Sequence, residues 1–127
     1  MNAKSPAEIA RETIEILYAT GDVSILDQHP GMESVRKTFP TFSAAFPDIK
    51  PELQQQVVEG DRVASLWIYQ GTHLGNLYGI PASGKAVRFQ SINVVKVKDG
   101  KIVQYNGEIG WLVIFMQIGF LPLQNEK

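Results

Sequence analysis

The sequence has no cysteine and only two histidines, His29 and His73. The first absence excludes disulfides, thiolate chemistry and cysteine-based metal sites, and the second leaves too few imidazoles for a multi-histidine metal centre. Charge of one sign is also lacking. The 12 Lys and Arg are scattered among 13 Asp and Glu, giving a formal net charge of −1. A nucleic-acid binder would present a basic patch or stripe, so nucleic acid is not an expected partner. Long apolar runs are missing too. The longest, Ile109 to Phe115, falls well short of the roughly 20 residues that cross a bilayer. The N-terminal stretch MNAKSPAEIARE carries charges and no apolar run, unlike a signal peptide. These absences make a soluble, cytoplasmic protein without a membrane partner the default expectation.

What is present suits one domain of ordinary size: 127 residues, 44% hydrophobic and 20% charged, close to the globular average. Ser5-Pro6-Ala7-Glu8 has the form of a capping box with proline at the first helical position. Ile9, Thr13, Ile16 and Leu17, widened by Ala10 and Ile14, follow at helical spacing, and Gly21-Asp22 ends the helix. A short turn over Val23 to Leu26 precedes a break at Gln28 to Gly31. Met32 to Phe46 is predicted as a second helix, with Pro40 expected to kink it or split it in two. The remainder reads as sheet. Strands are predicted over Gln54 to Val58, Arg62 to Thr72, Ala86 to Lys98 and Lys101 to about Glu108. Glu59-Gly60-Asp61 and Asp99-Gly100 are hairpin turns, and the Gly- and Pro-rich stretch from Gly75 to Lys85 is a loop. A closing helix is predicted over Leu112 to Gly119. Helices followed by an antiparallel meander indicate an α+β fold, a curved sheet wrapped around helices.

Alternation assigns faces to the strands. Val63, Ser65, Trp67, Tyr69 and His73 share one face, and so do Val87, Phe89, Ser91, Asn93 and Val95. In the last strand Ile102, Gln104, Asn106, Glu108 and Gly110 alternate with Val103, Tyr105 and Ile109. Apolar residues on both faces of the second strand imply that both are covered, one by helices and the other by a partner chain or a pocket interior. Ser91, Asn93, Gln104, Asn106 and Glu108 lie on otherwise apolar strands, and buried polar groups need partners. A concave small-molecule pocket would supply them; a wetter sheet face or a polar dimer interface would do so equally well.

Several segments come in a familiar order: FPDIK (Phe46 to Lys50), VVEGDRVASLW (Val57 to Trp67), GTHLGNLYGIPASGKAV (Gly71 to Val87), VVKVKDGKIVQYNGEIG (Val94 to Gly110) and QIG (Gln117 to Gly119). Together they resemble the SnoaL-like polyketide cyclases, or ester cyclases, of the nuclear-transport-factor-2-like superfamily. The resemblance implies a cone-shaped fold, with N-terminal helices packed on a strongly curved antiparallel sheet around an apolar pocket, in a single domain over residues 1–127. It implies a polyketide-like or other small apolar ligand, pairing into a homodimer through the sheets, and no cofactor or metal. In the family's cyclases an aspartate near the end of the last strand is the acid–base for an intramolecular aldol closure. Desolvation in an apolar pocket raises such a carboxylate's basicity. Aligned on Gly107 and on Gln117 to Gly119, that aspartate falls on Gly110, the family's frequent tryptophan on Asn106, and its histidine or aromatic on Tyr105. The chain before Gly31 is also shorter than usual, which leaves one side of the cone shortened or open.

The catalytic candidates are Glu108 and His73. Glu108 shares strand parity with Gly110 and is a displaced base, or else a carboxylate paired with Arg88 or a backbone donor. His73 orients a substrate carbonyl, or else anchors the glycine-rich loop. Asn93, Asn106 and Tyr69 are candidate hydrogen-bonding groups of the pocket, and Trp67 and Phe89 are its aromatic lining or simply core. Tyr105 is expected to face away, and His29 to be an exposed loop residue. The spacing of Gly75, Gly79 and Gly84 fits no phosphate loop. An enzyme of the cyclase or isomerase type, a non-catalytic ligand-binding module and a dimerising domain all remain open on the sequence.

Overall fold

A computed structural model describes residues 3–120. Helix α1 spans Pro6–Thr20. Ser5 Oγ accepts the Glu8 N–H at 3.1 Å, and the Glu8 carboxylate accepts the Ser5 N–H at 2.8 Å. The helix ends at Gly21 in the left-handed conformation that glycine adopts without a steric penalty. Ile9, Ala10, Thr13, Ile14 and Leu17 are buried, whereas Ile16, expected on the same stripe, is exposed. Helix α2 spans Glu33–Ala45 and runs through Pro40 without a break. Pro40 sits on the exposed side of the helix. The interruption lies earlier, in a separate 3-10 turn at Pro30–Met32 that follows another at Val23–Leu26.

Four strands form one antiparallel sheet in chain order: β1 Lys50–Glu59, β2 Arg62–Thr72, β3 Ala86–Lys98 and β4 Lys101–Ile109. β1 starts four residues before its predicted boundary, with Lys50 pairing Gln70. The β3–β4 turn places Asp99 and Gly100 both at positive φ, as a tight hairpin requires. Helix α3, Trp111–Gln117, then folds back onto β3, where the Gln117 amide bonds both the N–H and the carbonyl of Arg88. The inner face of the sheet, with Val63, Trp67, Tyr69, Val87, Phe89 and Val95, packs on Leu17, Met32, Phe39, Phe42 and Phe46 of the helical layer. Gln56 ties α1 to the sheet by donating to Ala7 O and Ser65 Oγ.

Among the described residues nothing covers the outer face. Val57, Ile92 and Val94 are 59%, 49% and 40% exposed. The expected helical cover lies on the inner face.

The short connection before α2 does not leave the cone open at that point. The 3-10 turn Pro30–Met32 lies directly on β4, so close that a side chain at Gly31 would run into the Val103 and Gln104 backbone. His29, expected at the surface, is 6% exposed, and its Nδ1 accepts the Ile102 N–H at 2.9 Å. A buried acceptor serving a backbone donor must stay neutral, and burial, with Lys101 nearby, pulls the His29 pKa below 6.5. Protonation thus favours the unfolded chain. The stabilisation is complete above pH 6.5 and is lost as pH falls through the folded-state value. His29→Ala is expected to cost about 1–3 kcal/mol at neutral pH by urea denaturation. The difference from wild type should shrink in mild acid; a cost that is the same at both pH values would remove His29 from this role.

Candidate functional site

Between α1, α2 and the inner face of the sheet lies a partly open cavity of about 220 Å³. Ile14 and Tyr18 face it from α1, Val35, Phe39 and Phe42 from α2, Tyr69 from β2, Ser91 from β3, Tyr105 and Ile109 from β4, and Trp111 from α3. Ser34, Thr38 and Tyr78 line it too and are exposed, which places them at the opening. Trp111 meets Phe42 and Tyr78 edge-on, at 5.8 Å between ring centroids in each case.

One irregularity decides what β4 contributes. The register runs Lys96↔Gln104 and then Val97↔Ile102, so Val103 is an extra residue, a β-bulge. A bulge reverses the alternation beyond it. Ile102 is buried before it; after it Tyr105, Gly107 and Ile109 turn inward opposite Val95, Asn93 and Ser91. Asn106 and Glu108 turn outward opposite the exposed Val94 and Ile92. The expected faces of β4 are therefore exchanged in its functional half: Tyr105 faces in, and Asn106 faces out, away from the cavity. Glu108 is exposed and borders the cavity from the outer face; it is the only titratable carboxylate on that border among the described residues. Gly110 ends the strand and caps α3, so strand parity does not extend to it.

Gly107 makes room for Tyr105. A Cβ at Gly107 would stand 2.7 Å from the Tyr105 hydroxyl and 2.9 Å from its ring. The ring leans along β4 over this bare backbone, on the face where Asn93 is the cross-strand partner of Gly107. Tyr18 meets Tyr69 ring to ring and edge-on, at 5.2 Å between centroids. Tyr69 in turn stacks on Phe89 at 5.5 Å. Burial is the first cause that pushes all three phenols above their ordinary value, so each keeps its proton at neutral pH.

The other candidates fall elsewhere. His73 is completely buried behind Phe46 and outside the cavity lining. Its Nδ1 accepts the Ser83 N–H at 3.1 Å and contacts Ser83 Oγ at 2.9 Å, which leaves the ring proton on Nε2, where it has no partner. Its backbone bonds Lys85 and Gly84, so the whole residue clamps the loop between β2 and β3. Trp67 is core, with an indole N–H that lacks a partner. Phe89 backs Tyr69 without lining the cavity. Of the candidates, the structure thus places Tyr69 in the cavity lining and Glu108 at its border, leaves Asn93 and Phe89 outside the lining, and adds Tyr18, Tyr105 and Trp111. Among the described residues there is no cluster of three or more His, Asp or Glu that could hold a metal ion, and no helix long and apolar enough to cross a membrane.

Residues 4–118 match the SnoaL-like polyketide cyclase family. The chain belongs to that family. Over 56 residues it is 36% identical to the aklanonic acid methyl ester cyclase DnrD of Streptomyces peucetius, and likewise to DauD of Streptomyces sp. strain C5. That stretch is 44% of this chain but only 38% and 34% of the two cyclases, so the match spans little more than a third of either. TsrD from Streptomyces laurentii superposes with a TM-score of 0.81 at 25% identity, over 95% of this chain and 100% of that one. A SnoaL-like polyketide cyclase from Agrobacterium tumefaciens gives 0.74 at 17% identity, over 92% and 100%, which speaks to the fold alone. This SnoaL-like chain has the family's α+β cone. Gly107→Ala is expected to displace the Tyr105 ring and to cost about 1–3 kcal/mol by thermal or urea unfolding. The cost should fall in a Tyr105→Val background, where no ring overlies the glycine; an equal cost in both backgrounds would show that the ring is not what Gly107 accommodates.

Proposed function

We propose that this SnoaL-like chain binds a small, largely apolar, oxygen-bearing molecule of polyketide type in the cavity. Any ring closure it promotes then works by positioning and by hydrogen bonding to carbonyl oxygens, without a resident carboxylate base. The observation that carries this reading is the lining: aromatic and aliphatic walls with neutral phenols and hydroxyls, and one carboxylate, Glu108, that borders the cavity from the exposed face. An apolar concavity with a few convergent polar groups is the usual form of a small-molecule site. Protonated phenols donate hydrogen bonds but do not remove a proton from carbon at neutral pH. The space is below the roughly 300–1,000 Å³ common for drug-sized ligands, which favours a ligand of one or two rings.

On this reading His73 and Trp67 support the fold, and Asn93 and Tyr69 serve the ligand through Tyr105 and Tyr18. Trp111 lines the cavity and reports on it. Adding 2-hydroxyacetophenone is expected to quench Trp111 fluorescence saturably. Thr38→Phe, which fills the opening from the exposed side of α2, should weaken binding about tenfold or more. Quenching that does not saturate, or that ignores Thr38→Phe, contradicts the reading. Gly110→Asp puts a carboxylate at the family's catalytic position, where a Cβ makes only ordinary contacts, 3.4 Å from Gln90 O and 3.8 Å from Phe89 Cβ. The variant is expected to fold and to gain ring-closing activity on aklanonic acid methyl ester or a smaller analogue relative to wild type. A wild-type enzyme already as fast would show that a base is present after all.

We also propose that the chain pairs with a second copy through the outer face of the sheet, supported by the exposed Val57, Ile92 and Val94. Glu108, directly across from Ile92, then lies at that interface. Light scattering is expected to give a dimer that Ile92→Lys dissociates; a wild-type monomer at micromolar concentration contradicts it.

A further inference from the structure

A second hollow, of about 470 Å³, shares no lining residue with the cavity described above. The first half of α1, the 3-10 turn Val23–Leu26 and the β3–β4 turn border it. Ile9, Ile16 and Ile25 give it apolar walls. Ile16 is thus the member of the α1 stripe that faces this hollow in place of the core, which accounts for its 44% exposure. His29 belongs to the same lining. Its Nδ1 accepts the Ile102 N–H, so the neutral ring carries its proton on Nε2. The two nitrogens of an imidazole point in divergent directions, so with Nδ1 turned to β4 the Nε2–H faces away from the strand. That Nε2 has no partner among the described residues and, unlike the Nε2 of His73, is not sealed from solvent. The residue as a whole is only 6% exposed, and the hollow it lines is the route to this donor. Neighbouring polar groups in the lining are committed elsewhere: the Thr13 hydroxyl donates to Ile9 O, and Glu12 is engaged by Lys4 and Arg11.

We propose that this hollow is a second ligand site, which takes a small monocarboxylate with an apolar body: the carboxylate accepts the His29 Nε2–H, and the body lies against Ile9, Ile16 and Ile25. The site is independent of the ligand-binding reading above. A hydrogen bond to an ionised acceptor is stronger than one to a neutral acceptor, and the donor here is already oriented by the Nδ1 bond to β4. Lys4 lies in the lining, and the charge of Lys101 is felt at His29, so positive charge stands near the place the carboxylate would occupy. A cationic ligand is not matched, because Glu12 is the one carboxylate of the lining and already has two cationic partners. A phosphate is not matched either, because the walls are apolar and the lining holds no guanidinium. The volume is within the usual range for small-molecule sites, roughly 300–1,000 Å³, and admits one ring with a short acidic side chain.

The probe is 4-fluorophenylacetate at mildly alkaline pH, followed by its fluorine NMR signal and by the ring signals of the two histidines. Binding should saturate, and the His29 ring signals should move with it while those of His73 stay in place. 4-Fluorophenylacetamide keeps the ring and the carbonyl but not the charge, and should bind about tenfold more weakly. His29 itself supports the fold, so the variant is Ile16→Glu, on the exposed side of α1. It sets a like charge in the hollow and should weaken the acid about tenfold, with circular dichroism confirming that the helix is intact. Thr38→Phe, which fills the opening of the other cavity, should leave the acid's binding unchanged. A fluorine shift that does not saturate, that leaves the His29 ring unmoved, or that survives Ile16→Glu overturns the second site. Binding that Thr38→Phe removes and Ile16→Glu does not would place the acid in the cavity between α1, α2 and the sheet; it overturns the second site and leaves the reading of that cavity standing.

Discussion

The pairing of β3 with β4 loses its regular register at Val103, and the contents of the cavity follow from that single extra residue. Without it, Asn106 and Glu108 would point into the cone, and Tyr105 would lie outside. With it, a phenol enters over Gly107 and the carboxylate leaves. Bulges bend a strand and re-aim its side chains; here the re-aiming replaces an acidic interior with a neutral one. The short connection before α2 reinforces the same arrangement. Gly31 and His29 clamp the chain onto β4 at Ile102 to Gln104, on and next to the bulge, so the irregular segment is held from the helical side as well.

This arrangement separates two properties that usually travel together in a catalytic carboxylate site, apolar enclosure and basicity. The enclosure is retained: Tyr18, Phe39, Phe42, Tyr69 and Trp111 pack edge-on around the cavity, with Tyr69 stacked on Phe89. Gly110, where the resemblance would put a catalytic aspartate, follows the end of β4 and starts α3 with no side-chain cap. On the proposed reading, this neutral lining orients a molecule and hydrogen-bonds its oxygens. Such a site is suited to a substrate acidic enough to enolise by itself, or to a ligand that is only held.

Much of the fold was legible in the sequence. The capping box at Ser5, the Asp99-Gly100 hairpin and the long β2 and β3 strands are local signals, and the structure has each where the residues indicate. The α+β order followed from them. Pro40 misled because local helix preference is a weak guide that tertiary context overrides, and α2 runs through it on its exposed side. The site was far less legible. Parity counting along β4 is sound only for an unbroken ladder, and no local residue preference announces a bulge at Val103. Tyr18 lies on α1 beside the apolar stripe and one turn after Ile14, a spacing that marks it as facing the interior, but a phenol at that place reads as core. The Tyr105-x-Gly107 pattern was a usable signal, since a glycine two residues from an aromatic on one strand face invites the ring to fold over it. His29 could not be placed from sequence at all, because its partner, the Ile102 amide, is 73 residues away.

The most direct test is a crystal structure of the chain grown with a small phenolate. On this account the ligand oxygen is expected inside the cavity, within hydrogen-bonding distance of a lining phenol, with the Glu108 carboxylate on the opposite face of β4. A ligand oxygen bound to Glu108, or Tyr105 turned out of the cavity, would contradict it.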